Sequence, residues 1–236
     1  MKITKLNDDS SWLWEWDGIK LMVDPWFSPS QVDFHPLFSE QFHVTPQPSI
    51  QELERPDYIF ISHPFTDHCN KETLLQCDPS IPVISSKKVL RKVRRWNHFE
   101  KLLTLEQAPI QISRVMPSVF PDPAHEAFLF SVNGFRLLYA PHGSRAKKLP
   151  KADVLITTTT KYKLPFWLGG TVNLGYQHAL RMKESCEAKW LITTHDERKK
   201  GTGLVEWLAR KEYAGNEPEC IEVLEKQCFD ITMEKE

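Results

Sequence analysis

The sequence predicts an α+β fold in which two β-sheets pack face to face and helices cover their outer sides. Each half of the chain begins with strand patterns and continues into a helix pattern, at residues 12–23 and 71–76 and again at 127–139 and 176–186. Hydrophobic residues make up 41% of the 236 residues, which is enough for a substantial core. Because no linker, low-complexity tract or repeat interrupts the chain, we expect one domain over residues 1–236.

The first third of the chain contains a hairpin pattern and a long irregular segment. Tryptophans alternate with other residues over 12–16, Asp17-Gly18 is a typical hairpin turn, and residues 19–23 return as the partner strand. We interpret the tryptophan stripe as a packed sheet face. Residues 25–55 are rich in Pro, Ser, Phe and Gln without periodicity, so we expect a long loop over a functional site.

Hydrophobic periodicity and turn residues predict the remaining elements. We expect strands at 57–62, 81–84, 127–132, 135–139, 153–158 and 189–194, helices at 71–76, in the first part of 87–101, at 176–186 and at 203–213, and a glycine-rich loop at 162–176.

Net charge and hydropathy exclude several classes of partner. The formal net charge is -1, so no overall positive field draws the protein to nucleic acid or to an acidic membrane. Basic residues cluster at 87–95, and we expect a solvated helix face there rather than a nucleic-acid interface. No apolar run of about 18 residues is present, which predicts no transmembrane helix.

The cysteines indicate a reducing compartment. They number five, are scattered along the chain and form no C-x-x-C pair, so a disulfide framework is not expected. No signal-peptide pattern opens the sequence, and a cytoplasmic location fits best. We expect Cys69 to be a small buried residue rather than a reactive thiol.

Polar residues suited to a metal ion follow three of the predicted strands. The first strand runs into the loop that carries His63, Asp67 and His68, the second reaches His142, and the third delivers His195. Imidazole and carboxylate ligands suit zinc, and also iron or manganese. These five residues are the candidate metal ligands.

Taken in order, these motifs resemble the metallo-β-lactamase superfamily, and within it the ascorbate-6-phosphate-lactonase-like branch of metal-dependent hydrolases. S-S-W-L-W-E-W-D-G-I-K-L-M-V-D-P-W-F is similar to the first hairpin of that branch, and P-D-Y-I-F-I-S-H-P-F-T-D-H to its strand and metal loop. R-L-L-Y-A-P-H-G resembles the strand that presents a bridging ligand, and W-L-I-T-T-H the strand that presents the last histidine. The resemblance implies a four-layer αββα sandwich and a metal-dependent hydrolase.

The chain departs from the family pattern at three places. The metal loop of the family is H-x-H-x-D-H, and Phe65 replaces its second histidine. The bridging ligand of the family is usually Asp, and here it is His142. The third histidine of the family is missing from residues 116–120. His35 and His43 are not assigned to the site, and His125, which lies several residues late for the missing histidine, is only a candidate.

The resemblance implies that these departures fall on one of two metal sites. In the family, the H-x-H pair and the third histidine bind one metal, and this chain keeps only His63 of that set. Asp67, His68 and His195 match the ligands of the other metal, and His142 could complete that site. Because a neutral imidazole cannot bridge two metals as a carboxylate does, we expect one ion of zinc, iron or manganese.

Such a site favours hydrolysis of a small ester, lactone or phosphoester by an activated water. Asp67 is expected either to bind the ion or to orient the water as a general base, and His63 to act as an acid-base group. The alternative is a non-catalytic binding protein on a degenerate fold of this type, which holds a phosphorylated ligand or nucleic acid near the basic helix. Fold alone does not decide between the two, and the sequence does not set the oligomeric state.

Overall fold

The structure, a computed structural model, describes residues 1–119, 121–196, 199–214, 219–224 and 226–231. The segment 116–120 is therefore described only up to residue 119. Within these ranges the strands are β1 (Lys2–Lys5), β2 (Trp12–Trp16), β3 (Ile19–Val23), β4 (Ser30–Asp33), β5 (Ser39–His43), β6 (Tyr58–Ile61), β7 (Val83–Ser85), β8 (Leu102–Thr104), β9 (Gln111–Val115), β10 (Ala127–Val132), β11 (Phe135–Ala140), β12 (Val154–Thr157), β13 (Lys161–Lys163), β14 (Thr171–Leu174), β15 (Trp190–Thr193), β16 (Lys199–Thr202), β17 (Arg210–Glu212) and β18 (Cys228–Asp230). The α-helices are α1 (Lys71–Leu74), α2 (Lys87–Arg94), α3 (Tyr176–Cys186) and α4 (Gly203–Leu208), and short 3₁₀ helices lie at Ile50–Glu52, Leu105–Gln107, Pro123–His125 and Phe166–Leu168.

Two large sheets organise the described residues. The first has the strand order β18-β1-β2-β3-β6-β7-β8, and the second has the order β15-β12-β11-β10-β9. Strands β3, β6, β7 and β8 run parallel to one another in the first sheet, and β11, β12 and β15 do so in the second. Parallel strands end at the same edge of a sheet, so the residues that follow β6, β11 and β15 can converge on one site.

The main core lies between the two sheets and contains the tryptophan stripe. Trp12 and Trp14 are fully buried. The Trp14 ring meets the rings of Phe130 and Tyr139 edge-on, with centroids 5.2 and 5.4 Å apart. Edge-to-face packing of this kind adds to the free energy gained from burying the rings. The stripe is therefore a packed sheet face, as its period of two predicts.

Helices cover the outer faces of both sheets. Leu74 of α1 and Val89 and Val93 of α2 pack against the outer face of the first sheet. Ala179 and Met182 of α3 pack against the outer face of the second. This arrangement confirms the predicted α+β fold with helices outside two sheets. No helix in the described ranges combines the length and the apolar character needed to cross a bilayer.

The two segments expected to be loops each contain a hairpin, so those predictions were wrong. β4 and β5 lie within 25–55, while β14 and all but the first residue of β13 lie within 162–176. Each hairpin gains a third strand from a distant part of the chain, because β16 pairs with β5 and β17 with β13. The helix expected over 203–213 ends at Leu208, since the following residues form β17.

We expect the Trp14→Ala substitution to lower the free energy of unfolding by about 3–5 kcal/mol, because it leaves a cavity between the sheets. Urea denaturation followed by circular dichroism measures this loss. Trp207→Ala is the matched control, since Trp207 is 80% exposed, and it should change stability by less than about 0.5 kcal/mol. Equal effects of the two substitutions would contradict this account of the core.

Candidate metal centre

The candidate ligands predicted from the sequence come together at the ends of three strands. The loop after β6 carries His63, Asp67 and His68, while His142 follows β11 and His195 follows β15. Their ligand atoms form two overlapping groups, in each of which all atoms lie within 4.8 Å of one another. One group is Asp67, His68 and His195, and the other is His63, His68 and His142. His68 belongs to both.

The distances within these groups suit the ligands of a single ion. The Nε2 atoms of His68 and His142 are 2.9 Å apart. Asp67 Oδ2 lies 3.5 Å from His195 Nε2 and 3.9 Å from His68 Nε2. Two donor atoms that bind one ion at about 2.1 Å lie roughly 3.0–3.5 Å apart in octahedral or tetrahedral geometry. The observed spacings are close to that range.

Two of the histidines are backed by buried carboxylates. His68 Nδ1 lies 2.8 Å from Asp24 Oδ2, and His195 Nδ1 lies 2.6 Å from Asp9 Oδ1. A carboxylate only accepts hydrogen bonds, so each Nδ1 carries the hydrogen, and in the neutral ring the Nε2 lone pair points to the centre. Carboxylate–histidine pairs of this kind orient metal ligands and raise their basicity.

The other two histidines also have a hydrogen-bond partner at Nδ1, and in their case this partner is neutral. His142 Nδ1 lies 2.7 Å from Asn173 Oδ1, and His63 Nδ1 lies 2.8 Å from the Ser62 hydroxyl. The Ser62 hydroxyl donates its own hydrogen to Asp24 and so accepts from His63. Among the described residues, His63 Nε2 is buried without a hydrogen-bond partner. Its lone pair is left for a cation or a proton donor.

The contact between His68 and His142 requires a positive charge between the two rings. With both Nδ1 atoms protonated, two Nε2 lone pairs would face each other at 2.9 Å. Burial, together with the neighbouring imidazoles, holds the pKa of His142 well below its usual value. Burial also lowers the pKa of His68, but the Asp67 and Asp24 carboxylates outweigh this and raise the pKa to about 9. A proton on His68 or a metal ion relieves the repulsion.

The buried charges around the centre point to a divalent cation. Asp9 and Asp24 are fully buried, and Asp67 is largely buried. Burial alone would raise the pKa of Asp67, but His68 and Lys199 lower it, which keeps the carboxylate ionised. The Lys199 ammonium lies 3.1 Å from Asp9 and 3.8 Å from Asp67. One lysine beside three carboxylates leaves two negative charges among these described residues, and unpaired buried charge is costly. A divalent ion fits the donor set and the charge.

Backbone strain marks two residues of this centre. Asp24 and His195 both lie in the left-handed region, with φ of 46° and 53°. Residues other than glycine seldom adopt this conformation, and those that do are concentrated at functional sites. Asp24 contacts His68, and His195 belongs to one of the ligand groups, so both strained residues lie at the centre.

A cavity of about 760 Å³ opens onto the centre. Asp67, His142 and His195 line its floor beside Phe65. His63 and His68 are fully buried and belong to the layer beneath. Asp67 is therefore the candidate carboxylate that both approaches an ion and faces the cavity.

His35, His43 and His125 lie outside both ligand groups. His125 lies at the edge of the cavity and is buried, with Nδ1 2.6 Å from Asp122 Oδ1. His43 is paired with Asp8 at 2.7 Å. His35 is exposed on the surface.

Sequence reasoning missed the residues that hold the ligands in place. Asp24 has a visible signal, because it ends the strand next to the one that leads to His63. Asp9 stands beside Asp8 in a polar segment, and nothing in the sequence indicates which of the two contacts a candidate ligand. Asn173 and Lys199 carry no signal, since they belong to strands that were not predicted.

The comparisons with known proteins address the family and the fold. The family model described as the beta-lactamase superfamily domain matches residues 2–195. A search of curated proteins finds no match. The resemblance inferred from the motifs is confirmed for the superfamily, while nothing in these comparisons supports the lactonase branch in particular.

Three solved structures have a similar fold. An isothiocyanate hydrolase from Delia radicum gut bacteria has a TM-score of 0.62 at 14% identity, over 84% of this chain and 85% of that one. The metallo hydrolase Igni18 from Ignicoccus hospitalis has a TM-score of 0.57 at 14% identity, over 84% and 83%. Zinc-bound PqqB from Methylobacterium extorquens has a TM-score of 0.57 at 13% identity, over 98% and 100%. At these identities the likeness shows the fold.

We expect the Asp24→Asn and Asp9→Asn substitutions to weaken metal binding about 10–100-fold, because each replaces the carboxylate behind a ligand histidine. Competition with a metal-sensitive dye measures the affinity. Asp8→Asn is the matched control, since Asp8 makes the same type of contact with His43 outside the ligand groups. Equal losses in all three variants would contradict the role of the two backing carboxylates.

We expect Cys69 to resist alkylation in the folded protein at pH 8. Burial raises the pKa of its thiol to about 12, so the reactive thiolate is scarce at that pH. Cys228 is free and exposed and serves as the internal control. Mass spectrometry after brief iodoacetamide treatment should find the label on Cys228 and not on Cys69. Equal labelling before unfolding would overturn this expectation.

Proposed function

The chain belongs to the metallo-β-lactamase superfamily, and from this premise we propose that it is a metal-dependent hydrolase of a small ester, lactone or phosphoester. The observation that carries the proposal is the set of imidazole and carboxylate donors at the floor of a cavity, each histidine fixed by a partner on its Nδ1. Structural neighbours are metallo-hydrolases, one of them an isothiocyanate hydrolase. The free cysteines agree with the reducing cytoplasm that we propose as its location.

We propose one ion of zinc, iron or manganese, held by Asp67, His68 and His195, with His142 as a fourth ligand. The reason is that both ligand groups use His68, whose Nδ1 is engaged by Asp24. The remaining Nε2 has one lone pair and binds one ion. The two groups therefore cannot be filled together. The group with Asp67 is favoured because it adds a carboxylate and faces the cavity.

When bound, the ion would supply Lewis acidity, which lowers the pKa of a water towards neutrality and polarises the oxygen of the scissile group. The residues of the chain supply the geometry. Asp67 either binds the ion or holds the attacking water, and its lowered pKa keeps it in the ionised form that both roles need. Lys199 neutralises the carboxylates beside it. We propose that His63 acts through its neighbours, because it lies beneath the cavity rather than on its surface.

We expect protein purified without chelator to contain about one equivalent of zinc, iron or manganese per chain. The His68→Ala/His195→Ala double substitution should abolish this content, because it removes two of the proposed ligands. Inductively coupled plasma mass spectrometry measures the metal. His35→Ala is the control, since His35 is exposed and outside the ligand groups. Absence of metal after incubation with each ion would refute the proposal and favour a non-catalytic binding protein.

We expect turnover of at least one member of a panel of esters, lactones and phosphodiesters, with kcat reduced about 100-fold or more by Asp67→Asn. If the asparagine variant keeps its metal but loses turnover, Asp67 orients the attacking water. If the variant loses the metal, Asp67 is a metal ligand. Unchanged kcat in this variant would contradict both roles.

A further inference from the structure

The walls of the cavity above the metal centre are largely apolar. They come from separate parts of the chain: the segment after β4, the metal loop, the β13–β14 hairpin and α4. A cavity of about 760 Å³ is large enough for a small organic molecule. The apolar side chains that line it include Phe34, Phe38, Phe65, Leu164, Leu168 and Val205.

The lysines that line the cavity are already engaged with protein groups. Lys92 Nζ donates a hydrogen bond to the Pro64 carbonyl at 2.6 Å. Lys199 Nζ is shared between Asp9 and Asp67. A phosphate group on a substrate is normally held by cationic donors that are available to it. Among the described residues that line the cavity, no further lysine or arginine lies away from the centre to hold a phosphate.

The carboxylates of the lining further oppose an anionic substrate. Asp33 lines the cavity together with Asp67 and Asp122. Burial, and then the charge of Asp67, raises the pKa of Asp33, so the two carboxylates already repel each other here. A second anion here would meet the same repulsion.

Phe65 extends the apolar wall to the centre itself. Its ring lies nearly parallel to that of His63, with centroids 6.1 Å apart and 10° between the planes. It meets the His142 ring edge-on at 6.0 Å. Where the family pattern has a ligand imidazole, this chain has an apolar surface beside the proposed reacting group.

The apolar surface continues outside the cavity. Phe34 is 96% exposed although it lines the mouth, and Phe166, in the same short 3₁₀ helix as Leu168, is 90% exposed. Exposed aromatic rings around an apolar cavity are typical of a binding site. They offer contact area to a substrate that extends beyond the floor of the cavity.

We propose that the substrate is a neutral ester or lactone with an apolar acyl or alkyl part, rather than a phosphorylated compound. This inference rests on the proposed hydrolase function and narrows it. In the reaction the oxygen of one water bonds to the acyl carbon and the acyl C–O bond breaks. The departing alkoxide takes up a proton, so that a carboxylate, a proton and an alcohol result, with no oxidation or reduction.

Chain-length dependence of turnover tests this substrate class. With the metal-loaded enzyme, kcat/KM for p-nitrophenyl acetate, butanoate, hexanoate and octanoate should rise about threefold to fourfold per buried methylene. Phe34→Ser and Leu168→Ser should reduce this slope, because each removes apolar lining and neither residue belongs to the main core between the two sheets. Leu75→Ser is the matched control, since Leu75 is a partly exposed leucine outside the cavity lining, and it should keep the slope.

A binding measurement separates failure of the inference from failure of the hydrolase proposal. Isothermal titration calorimetry with butanamide, hexanamide and octanamide should show the same rise in affinity per methylene, and hexyl phosphate should bind more weakly than hexanamide. If no ester is cleaved but the affinities follow this order, the hydrolase proposal fails. The inference that the cavity binds neutral, apolar molecules then still stands. If kcat/KM and affinity are flat with chain length, or hexyl phosphate binds more tightly, the inference is overturned.

Discussion

The Asp24 carboxylate is the group on which the arrangement of the site depends. It is fully buried at the end of β3, and it accepts hydrogen bonds from the Ser62 backbone N–H and hydroxyl, from the Tyr139 hydroxyl and from His68 Nδ1 at 2.5–2.8 Å. Tyr139 belongs to the second sheet, so this one carboxylate joins both sheets to the metal loop. An ionised carboxylate without such donors would cost several kcal/mol to bury. Its position is therefore closely determined.

Buried negative charge links folding to the metal. Asp9, Asp24 and Asp67 surround the ligand histidines, and Lys199 offsets only part of their charge. In the absence of an ion, a proton on His68 is the natural substitute, which agrees with its raised pKa. Because a cation bound to the folded chain would stabilise it by mass action, the proposed divalent ion would offset the cost of burying these carboxylates.

Phe65 connects the metal centre to substrate choice. Its apolar ring contacts His63 and His142, at the position where the resemblance implies a ligand histidine. Phe65 in place of a histidine would therefore explain both why a single ion is proposed and why the wall beside that ion is apolar. The cavity above has few unpaired cationic groups among its described lining, so the proposed substrate is neutral.

The sequence predicted the parts of the fold that depend on local pattern. The hairpin of β2 and β3 was predicted from the alternation over residues 12–16 and the Asp17-Gly18 turn, and that of β10 and β11 from two apolar runs around Asn133-Gly134. The positive φ angles of these turn residues suit tight turns. The strands β4, β5, β13 and β14 were missed because they are short and polar, and their third strands come from distant segments.

Local sequence pattern also predicted only part of the candidate site. The candidate ligands at the strand ends were predicted from motif order, and the structure brings them together. Their backing groups were not, because His68 and His195 meet carboxylates 44 and 186 residues away in the chain. Contacts of that separation follow from the packing of the two sheets and leave no trace in local spacing.

Anomalous X-ray scattering at the absorption edge of the bound metal tests the central claim most directly. The account predicts one peak per chain, within about 2.5 Å of Asp67 Oδ2 and of the Nε2 atoms of His68 and His195. Two peaks, or a single peak enclosed by His63, His68 and His142 away from Asp67, would contradict it.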